Sequence, residues 1–285
     1  LCDLSLDHMA DTVERAGKEA PTGVRITSHV ANVADEAQMS AFRDEVLAQH
    51  STDNVNLVFA NAGISGGGSF VLADRAEWDR TFAVCWGGVY NTARAFVPLL
   101  VASDSGYLVN TSSVNGFWAT LGPGVAHTAY STAKFAVKGF TEALLEDFRL
   151  NAPHVGVSVV MPGHIGTDII KNSQRVLQRN EPIADQAAAM RRSMELRGVP
   201  AEGMSDEQLL DMMSMFGDMF RESAPMTAAA AATVILDGVK ANRWRILVGD
   251  DAVELDRRVR ADPEHAYGPE GFGLNTIAGS LPDSA

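Results

Sequence analysis

The sequence is poor in features that would each point to a particular class of protein. It has only two cysteines, Cys2 and Cys85, which are too few for a disulfide framework, and no Cys–His cluster of the kind that holds zinc. Basic side chains are in deficit, with 23 Lys and Arg against 36 Asp and Glu and a formal net charge of −13. Nucleic acids and anionic membranes attract basic surfaces, so neither is an expected partner.

Long apolar runs are also absent. No stretch approaches the roughly 18 apolar residues of a membrane span. The acidic N-terminal segment has neither the basic start nor the apolar core of a signal peptide. We therefore expect a cytoplasmic protein with reduced cysteines and no metal.

Along most of the 285 residues, short apolar runs alternate with helical apolar stripes. The predicted strands are 1–2, part of 24–33, 55–60, 107–112, 155–161 and 245–248, and the predicted helices begin near residues 5, 35, 74, 130 and 227. This order predicts one α/β domain, a Rossmann-type doubly wound parallel sheet in a three-layer arrangement. In such sheets ligands bind beyond the carboxyl ends of the strands.

Two segments lie outside the alternation. Residues 168–226 hold 8 of the 11 methionines, and Ser205 with Gln208 forms a capping box before an amphipathic stretch. We therefore expect at least one helix in this insertion. The segment 250–285 is polar and then rich in Gly and Pro, which predicts an irregular C-terminal tail.

Tyr130 and Lys134 are four residues apart near the start of a predicted helix, so they share one face. An ammonium beside a phenol favours the phenolate, and we expect it to lower the pKa of Tyr130 from about 10 toward neutrality. Tyr130 would then be a usable general acid or base. A Tyr-x-x-x-Lys match also arises by chance, so the pair alone is a hypothesis.

Small, polar and turn residues at the predicted strand ends strengthen the hypothesis about Tyr130 and Lys134. Four motifs occur in order: ANAG at 60–63, NTSS at 110–113, YSTAK at 130–134 and PGHIGT at 162–167. Together they resemble the motifs of the short-chain dehydrogenase/reductase (SDR) family, and the resemblance covers nearly the whole chain. It implies a nicotinamide-dependent oxidoreductase that interconverts an alcohol and a ketone.

The resemblance also implies roles by position. Tyr130 corresponds to the acid/base that exchanges a proton with the substrate oxygen, and Ser113 to the residue that hydrogen-bonds that oxygen. Lys134 corresponds to the residue that holds the nicotinamide ribose and tunes Tyr130. The other implied cofactor-binding residues are Asn32 and Val33 near the adenine, Asn61, Ala62 and Gly63 near the adenosine ribose, and Pro162, Gly163, Ile165 and Thr167 at the nicotinamide.

Asp3 indicates which cofactor is preferred. It follows the first strand fragment, where an acidic side chain can bond a ribose 2′-OH and repel a 2′-phosphate. We therefore expect NAD rather than NADP. Asp3 also lies just before Ser5, so it can equally cap the following helix, and the two roles are compatible.

Three of the departures from the family pattern concern the cofactor and the surroundings of the lysine. It contains no GxGxxG or TGxxxGxG turn, which would hold a pyrophosphate at a helix N-terminus. The strand, turn and helix around such a turn amount to on the order of 35 residues, so we expect an N-terminally truncated record of a longer protein. Cys85 takes the place of an Asn that completes a water relay to the lysine, and a thiol is a weak substitute. Asn32 stands where an Asp is common.

Three further expectations follow. By resemblance, 168–226 is a helical substrate lid, and its methionines favour a lipophilic substrate, although ordinary core or subunit packing explains them equally well. The resemblance also implies a homodimer or homotetramer built on the helices near 74–102 and 130–151. The alternative functions are an NADPH-dependent ketone reductase and a noncatalytic family member that acts through protein contacts.

Overall fold

The computed structural model describes residues 1–72, 74–177, 182–196 and 203–273. The strands are β1 Cys2–Asp3, β2 His29–Val30, β3 Leu57–Ala60, β4 Gly106–Thr111, β5 Val155–Pro162, β6 Ile165–Gly166, β7 Met226–Thr227 and β8 Arg245–Val248. The helices are α1 Leu6–Glu19, α2 Glu36–His50, α3 Arg75–Phe82, α4 Gly88–Val101, α5 Thr128–Asn151, α6 Ile169–Leu177, α7 Ile183–Leu196, α8 Asp206–Glu222, α9 Ala228–Lys240 and α10 Asp250–Ala261.

The strands pair in parallel throughout. The main sheet has four strands in the order β3-β4-β5-β8, and β1-β2 and β6-β7 each form a separate two-stranded sheet. Consecutive strands that pair in parallel need crossovers, and the helices provide them. The parallel sheet with its helical crossovers thus confirms the predicted Rossmann-type α/β fold.

Both faces of the main sheet are buried at β4, as neighbouring residues of that strand show. Leu108 packs with Phe96 of α4 and Phe148 of α5 on one face. Val109 packs with Ala231 of α9 on the other face. Because successive side chains of a strand point to opposite sides, β4 is covered twice, which gives the expected three layers.

Two predicted elements differ from the structure. The helix predicted from residue 74 is interrupted by one π-helical turn at Ala83–Gly87 between α3 and α4. The tail predicted to be irregular from residue 250 begins with α10, because Ala252 and Leu255 lie three apart and are fully buried against Trp118. The sequence prediction relied on the polar composition and overlooked this spacing. Residues 274–285 lie outside the described part of the chain.

The insertion at 168–226 is helical, as predicted. It contains α6, α7 and α8, and the capping box of Ser205 and Gln208 at the start of α8 is confirmed. Residues 178–181 and 197–202 of this segment lie outside the described residues. Among the described helices, none has the length and apolar character to cross a membrane.

Candidate active site

Ser113 is held where β4 gives way to the following loop. Its Oγ accepts a hydrogen bond from the backbone N–H of Asn115 at 3.2 Å and so caps a short 3-10 turn at Val114–Gly116. The neighbouring Ser112 donates to the carbonyl of Lys134 at 2.8 Å. Ser112 therefore ties the end of β4 to the first turns of α5, and Ser113 fixes the start of the loop that follows β4.

Tyr130 and Lys134 lie in those first turns. Tyr130 is 9% exposed, and its phenol lies near enough to the Ser113 side chain for that side chain to influence its pKa. The Nζ of Lys134 lies 5.3 Å from the centre of the Tyr130 ring and donates to the carbonyl of Thr111 at 2.9 Å. The structure thus brings together the three residues that the sequence singled out.

The pKa of Tyr130 moves in the direction opposite to the sequence prediction. Burial raises it above its ordinary value, the Cys85 thiol adds to the rise, and the bond with Ser113 offsets only a smaller part. Burial also lowers the pKa of Lys134. Desolvation disfavours both the phenolate and the ammonium, and the lowering expected from Lys134 is not among the effects that set the pKa of Tyr130. The upward shift of the pKa therefore favours the protonated phenol, which can donate a hydrogen bond.

Cys85 lies in the π-helical turn and is completely buried. Its Sγ donates to the carbonyl of Ile64 at 3.1 Å. A Cβ at Gly63 would lie 3.5 Å from the Nζ of Lys134 and 3.9 Å from this sulfur, so the loop after β3 touches both side chains. The thiol has its partner in that loop, which supports a structural role for Cys85.

His127 lies against Tyr130, with the two ring centroids 4.8 Å apart. Burial lowers the pKa of His127 to about 4, so the imidazole is neutral at physiological pH. The ring contact places the imidazole beside the candidate acid/base.

Five of the residues assigned to the cofactor line one cavity of about 650 Å³. They are Asp3, Asn32, Val33, Ala62 and Gly63. This volume is typical of small-molecule and cofactor sites. The lining joins a carboxylate, an amide and apolar side chains at the carboxyl ends of β1, β2 and β3, which suits the ribose and adenine of a nucleotide.

Hydrogen bonds orient the polar residues of this region. The carboxylate of Asp3 accepts from the backbone N–H of Ser5 at 2.8 Å, while Ser5 itself caps α1. The amide oxygen of Asn32 accepts from the backbone N–H of Ala34 at 3.1 Å. Asn61, just outside the cavity lining, accepts from the hydroxyl of Thr111 at 2.9 Å. That bond links the loops after β3 and β4.

The PGHIGT residues lie at the end of β5. Pro162 is its last residue, Gly163 donates to the carbonyl of Val248 at 3.0 Å, and Thr167 donates to that of Ile165 at 2.8 Å. None of these predicted nicotinamide residues is in the lining of the cavity. The structure therefore groups the predicted site residues in three places: the cavity, the Ser113–Tyr130–Lys134 cluster and the loop 162–167.

Sequence reasoning missed several residues in these regions. His8 and Arg175 line the cavity and lie 3.2 Å apart between Nε2 and NH1. Asp251 is buried against the loop 162–167. Nothing in the sequence pattern brings His8 and Arg175 together, but Asp251 follows a predicted strand and the strand-end rule could have found it.

Comparisons with known proteins identify the family of the chain. The family model for short chain dehydrogenases matches residues 1–177. A Mycobacterium tuberculosis protein named oxidoreductase SadH is 32% identical over 257 residues, which are 90% of this chain and 78% of the relative.

Two solved structures extend the comparison. A short-chain dehydrogenase/reductase from Burkholderia phymatum in complex with NAD has a TM-score of 0.70 and 25% identity, over 93% of this chain and 84% of that one. A 3-ketoacyl-ACP reductase from Sinorhizobium meliloti 1021 has a TM-score of 0.52 and 28% identity, over 58% of this chain and 62% of that one.

The chain belongs to the short-chain dehydrogenase/reductase family. It is thus an oxidoreductase of the class that uses a nicotinamide cofactor, NAD or NADP.

Proposed function

We propose that this protein interconverts a secondary alcohol and a ketone, with Tyr130 as the acid/base. The observation that carries the proposal is the buried cluster of Ser113, Tyr130 and Lys134, in which the Nζ of Lys134 lies 5.3 Å from the centre of the Tyr130 ring. The dehydrogenase and ketoacyl reductase among the similar structures support this type of reaction.

The chain's own groups would move the proton and orient the substrate. In the reductive direction Tyr130 donates its phenolic proton to the carbonyl oxygen, and Ser113 donates a hydrogen bond to the same oxygen. In the oxidative direction both steps reverse. The nicotinamide supplies or accepts the hydride. Lys134 holds the ribose beside it, and the raised pKa of Tyr130 keeps the proton available for reduction.

We propose NAD as the cofactor, because the carboxylate of Asp3 lines the cavity where a 2′-phosphate would add a second negative charge. Asn32, Val33, Asn61, Ala62 and Gly63 would hold the adenosine half, and Pro162, Gly163, Ile165 and Thr167 the nicotinamide half.

The lid favours a lipophilic substrate. Met215, Phe216 and Met219 of α8 are 70%, 51% and 57% exposed, so this helix presents apolar side chains that the rest of the described chain does not cover. Apolar surface of this kind marks a ligand or partner site more often than a solvated face. A homodimer or homotetramer and a cytoplasmic location complete the proposal.

The test is a turnover assay with a panel of lipophilic ketones, run with NADH and with NADPH. Tyr130→Phe should lower turnover by about 100-fold or more, since the proton donor is lost, while circular dichroism and the melting temperature stay near those of the parent. Turnover with NADPH should be the slower of the two.

Tyr90→Phe is the matched control, because Tyr90 is exposed on α4. It should leave turnover unchanged. Activity that survives Tyr130→Phe would exclude the proposed role of Tyr130. A parent protein that binds neither NADH nor NADPH would instead favour the noncatalytic alternative.

A further inference from the structure

A carboxylate that the reaction does not use is buried beside the loop 162–167. Asp251 is 2% exposed and lies in the first turn of α10, immediately after the last strand of the sheet. One of its oxygens, Oδ2, accepts a hydrogen bond from the backbone N–H of His164 at 2.7 Å. The other, Oδ1, is buried and has no partner.

Two glycines make room for this carboxylate. A Cβ on Gly163 would collide with both of its oxygens, and a Cβ on Gly249 would collide with Oδ1. Gly249 also has a φ of +104°, which side chains rarely adopt. The backbone on both sides of Asp251 is therefore shaped around the carboxylate.

Burying a carboxylate with an unpaired oxygen is costly, so a purely structural explanation is weak. An apolar side chain at this position would fill the same space without that cost. What the carboxylate adds is a directed acceptor for the backbone of the loop. Helix N-termini favour negative charge, which makes this end of α10 a suitable place for it.

The loop is held from a second side by the lid. The Nε2 of His164 lies 2.7 Å from the carbonyl oxygen of Phe220 near the end of α8, and the His164 and Phe220 rings are 4.2 Å apart. His164 is thus fixed through its backbone by Asp251 and through its side chain by α8.

From these contacts we infer that Asp251 is a positioning residue, which sets the conformation of the loop 162–167 and through it the binding of the nicotinamide. This inference rests on the proposed function, in which that loop meets the nicotinamide. Asp251 touches neither cofactor nor substrate. Its effect should therefore be confined to ligands that reach the loop.

Comparing the binding of two ligands distinguishes this positioning role of Asp251 from a general structural role. NADH carries the nicotinamide, whereas ADP-ribose carries only the part that the cavity at Asp3 and Asn32 would hold. Asp251→Ala should raise the dissociation constant of NADH about tenfold, the loss expected when a buried hydrogen bond is removed, and leave that of ADP-ribose unchanged. Both constants are measured by isothermal titration calorimetry on the full chain.

Further variants test whether the loss of NADH affinity is due to the Asp251 carboxylate. Asp251→Asn keeps an oxygen that can accept from His164, so it should restore most of the NADH affinity. Asp250→Ala removes an exposed neighbouring carboxylate and should change neither constant. Asp251→Ser has a side chain too short to reach the backbone N–H of His164 and should repeat the selective loss, which keeps the inference testable if Asp251→Ala does not fold.

The outcomes are distinct. An NADH affinity that stays at the parent value in Asp251→Ala, or an equal loss for NADH and ADP-ribose in that variant and in Asp251→Ser, would overturn the positioning role alone. A parent protein that binds neither ligand would overturn the proposed function and this inference with it. A selective loss of NADH affinity with rescue by Asp251→Asn would support both.

Discussion

His127 shows how burial at a single residue sets a pH limit for the fold. Its pKa is lowered to about 4 by burial, whereas an unfolded histidine titrates near 6.5. Between these values the unfolded chain binds the proton and the folded chain does not. Stability is therefore fully present above about pH 6.5 and falls as the pH approaches 4.

We expect His127→Gln to remove much of this acid loss. The shift corresponds to about 3 kcal/mol of unfolding free energy between pH 7 and 4, because each pKa unit is worth about 1.4 kcal/mol. Urea unfolding of the parent and the variant at several pH values measures it. His154→Gln, at an exposed site, should leave the slope unchanged. A variant that keeps the full acid dependence would show that another group is responsible.

At the scale of elements, α10 is tied to the sheet by a mostly buried ion pair. The carboxylate of Asp256 accepts from NH1 and NH2 of Arg245 in β8 at 3.0 and 2.5 Å, and from Nε of Arg260 at 2.9 Å. Burial raises the pKa of Asp256, but the hydrogen bonds from the two arginines outweigh it, and the net change is downward. The carboxylate therefore stays ionised and holds the helix in place.

Removing the negative charge of Asp256 should lower the free energy of unfolding. Asp256→Asn leaves Arg245, whose side chain is 15% exposed, without its counter-charge, and we expect a loss of about 3 kcal/mol in unfolding free energy. Urea unfolding reports the change. Asp237→Asn is the matched control, since its pair with Lys240 is exposed at 3.6 Å and should contribute under about 1 kcal/mol. Equal effects of the two variants would contradict the anchoring role.

Some features of the fold and of the candidate site could be predicted from the sequence, and others could not. The main strands, α5 and the cap of α8 follow from local periodicity and capping signals, so they were predictable. Ser113, Tyr130 and Lys134 were also predictable, because motifs place them at a strand end and on one helix face. The π-helical turn at Cys85 and the buried position of Asp251 depend on packing between distant segments, and so does the raised pKa of Tyr130.

At the scale of the molecule, the helices α4 and α5 present an aromatic seam. The ring of Phe140 lies 5.5 Å from that of Trp86 and 6.5 Å from that of Tyr90, and Tyr90 is 43% exposed. Phe135 of α5 is 42% exposed. Exposed aromatic surface on two adjacent helices is typical of subunit contacts, which supports the predicted homo-oligomer.

We expect Phe135→Glu to dissociate that oligomer, because a buried unpaired carboxylate would have to enter the contact. Sedimentation velocity should show a dimer or tetramer for the parent and a monomer for the variant. Trp244→Glu, which changes another exposed aromatic residue outside these helices, should leave the assembly intact. A parent that sediments as a monomer would refute the prediction.

The cavity brings together two segments that are far apart in the sequence. In the part of the chain that the structure describes, its lining includes Asp3 and Asn32 from the first segment and Gly63 from the loop after β3. A nucleotide seated there would bind only the conformation in which both segments are in place, and it would stabilise that conformation. Amide protons of both segments should therefore exchange more slowly when the proposed cofactor is bound, and a mutation that loosens either segment should weaken binding of the adenosine half.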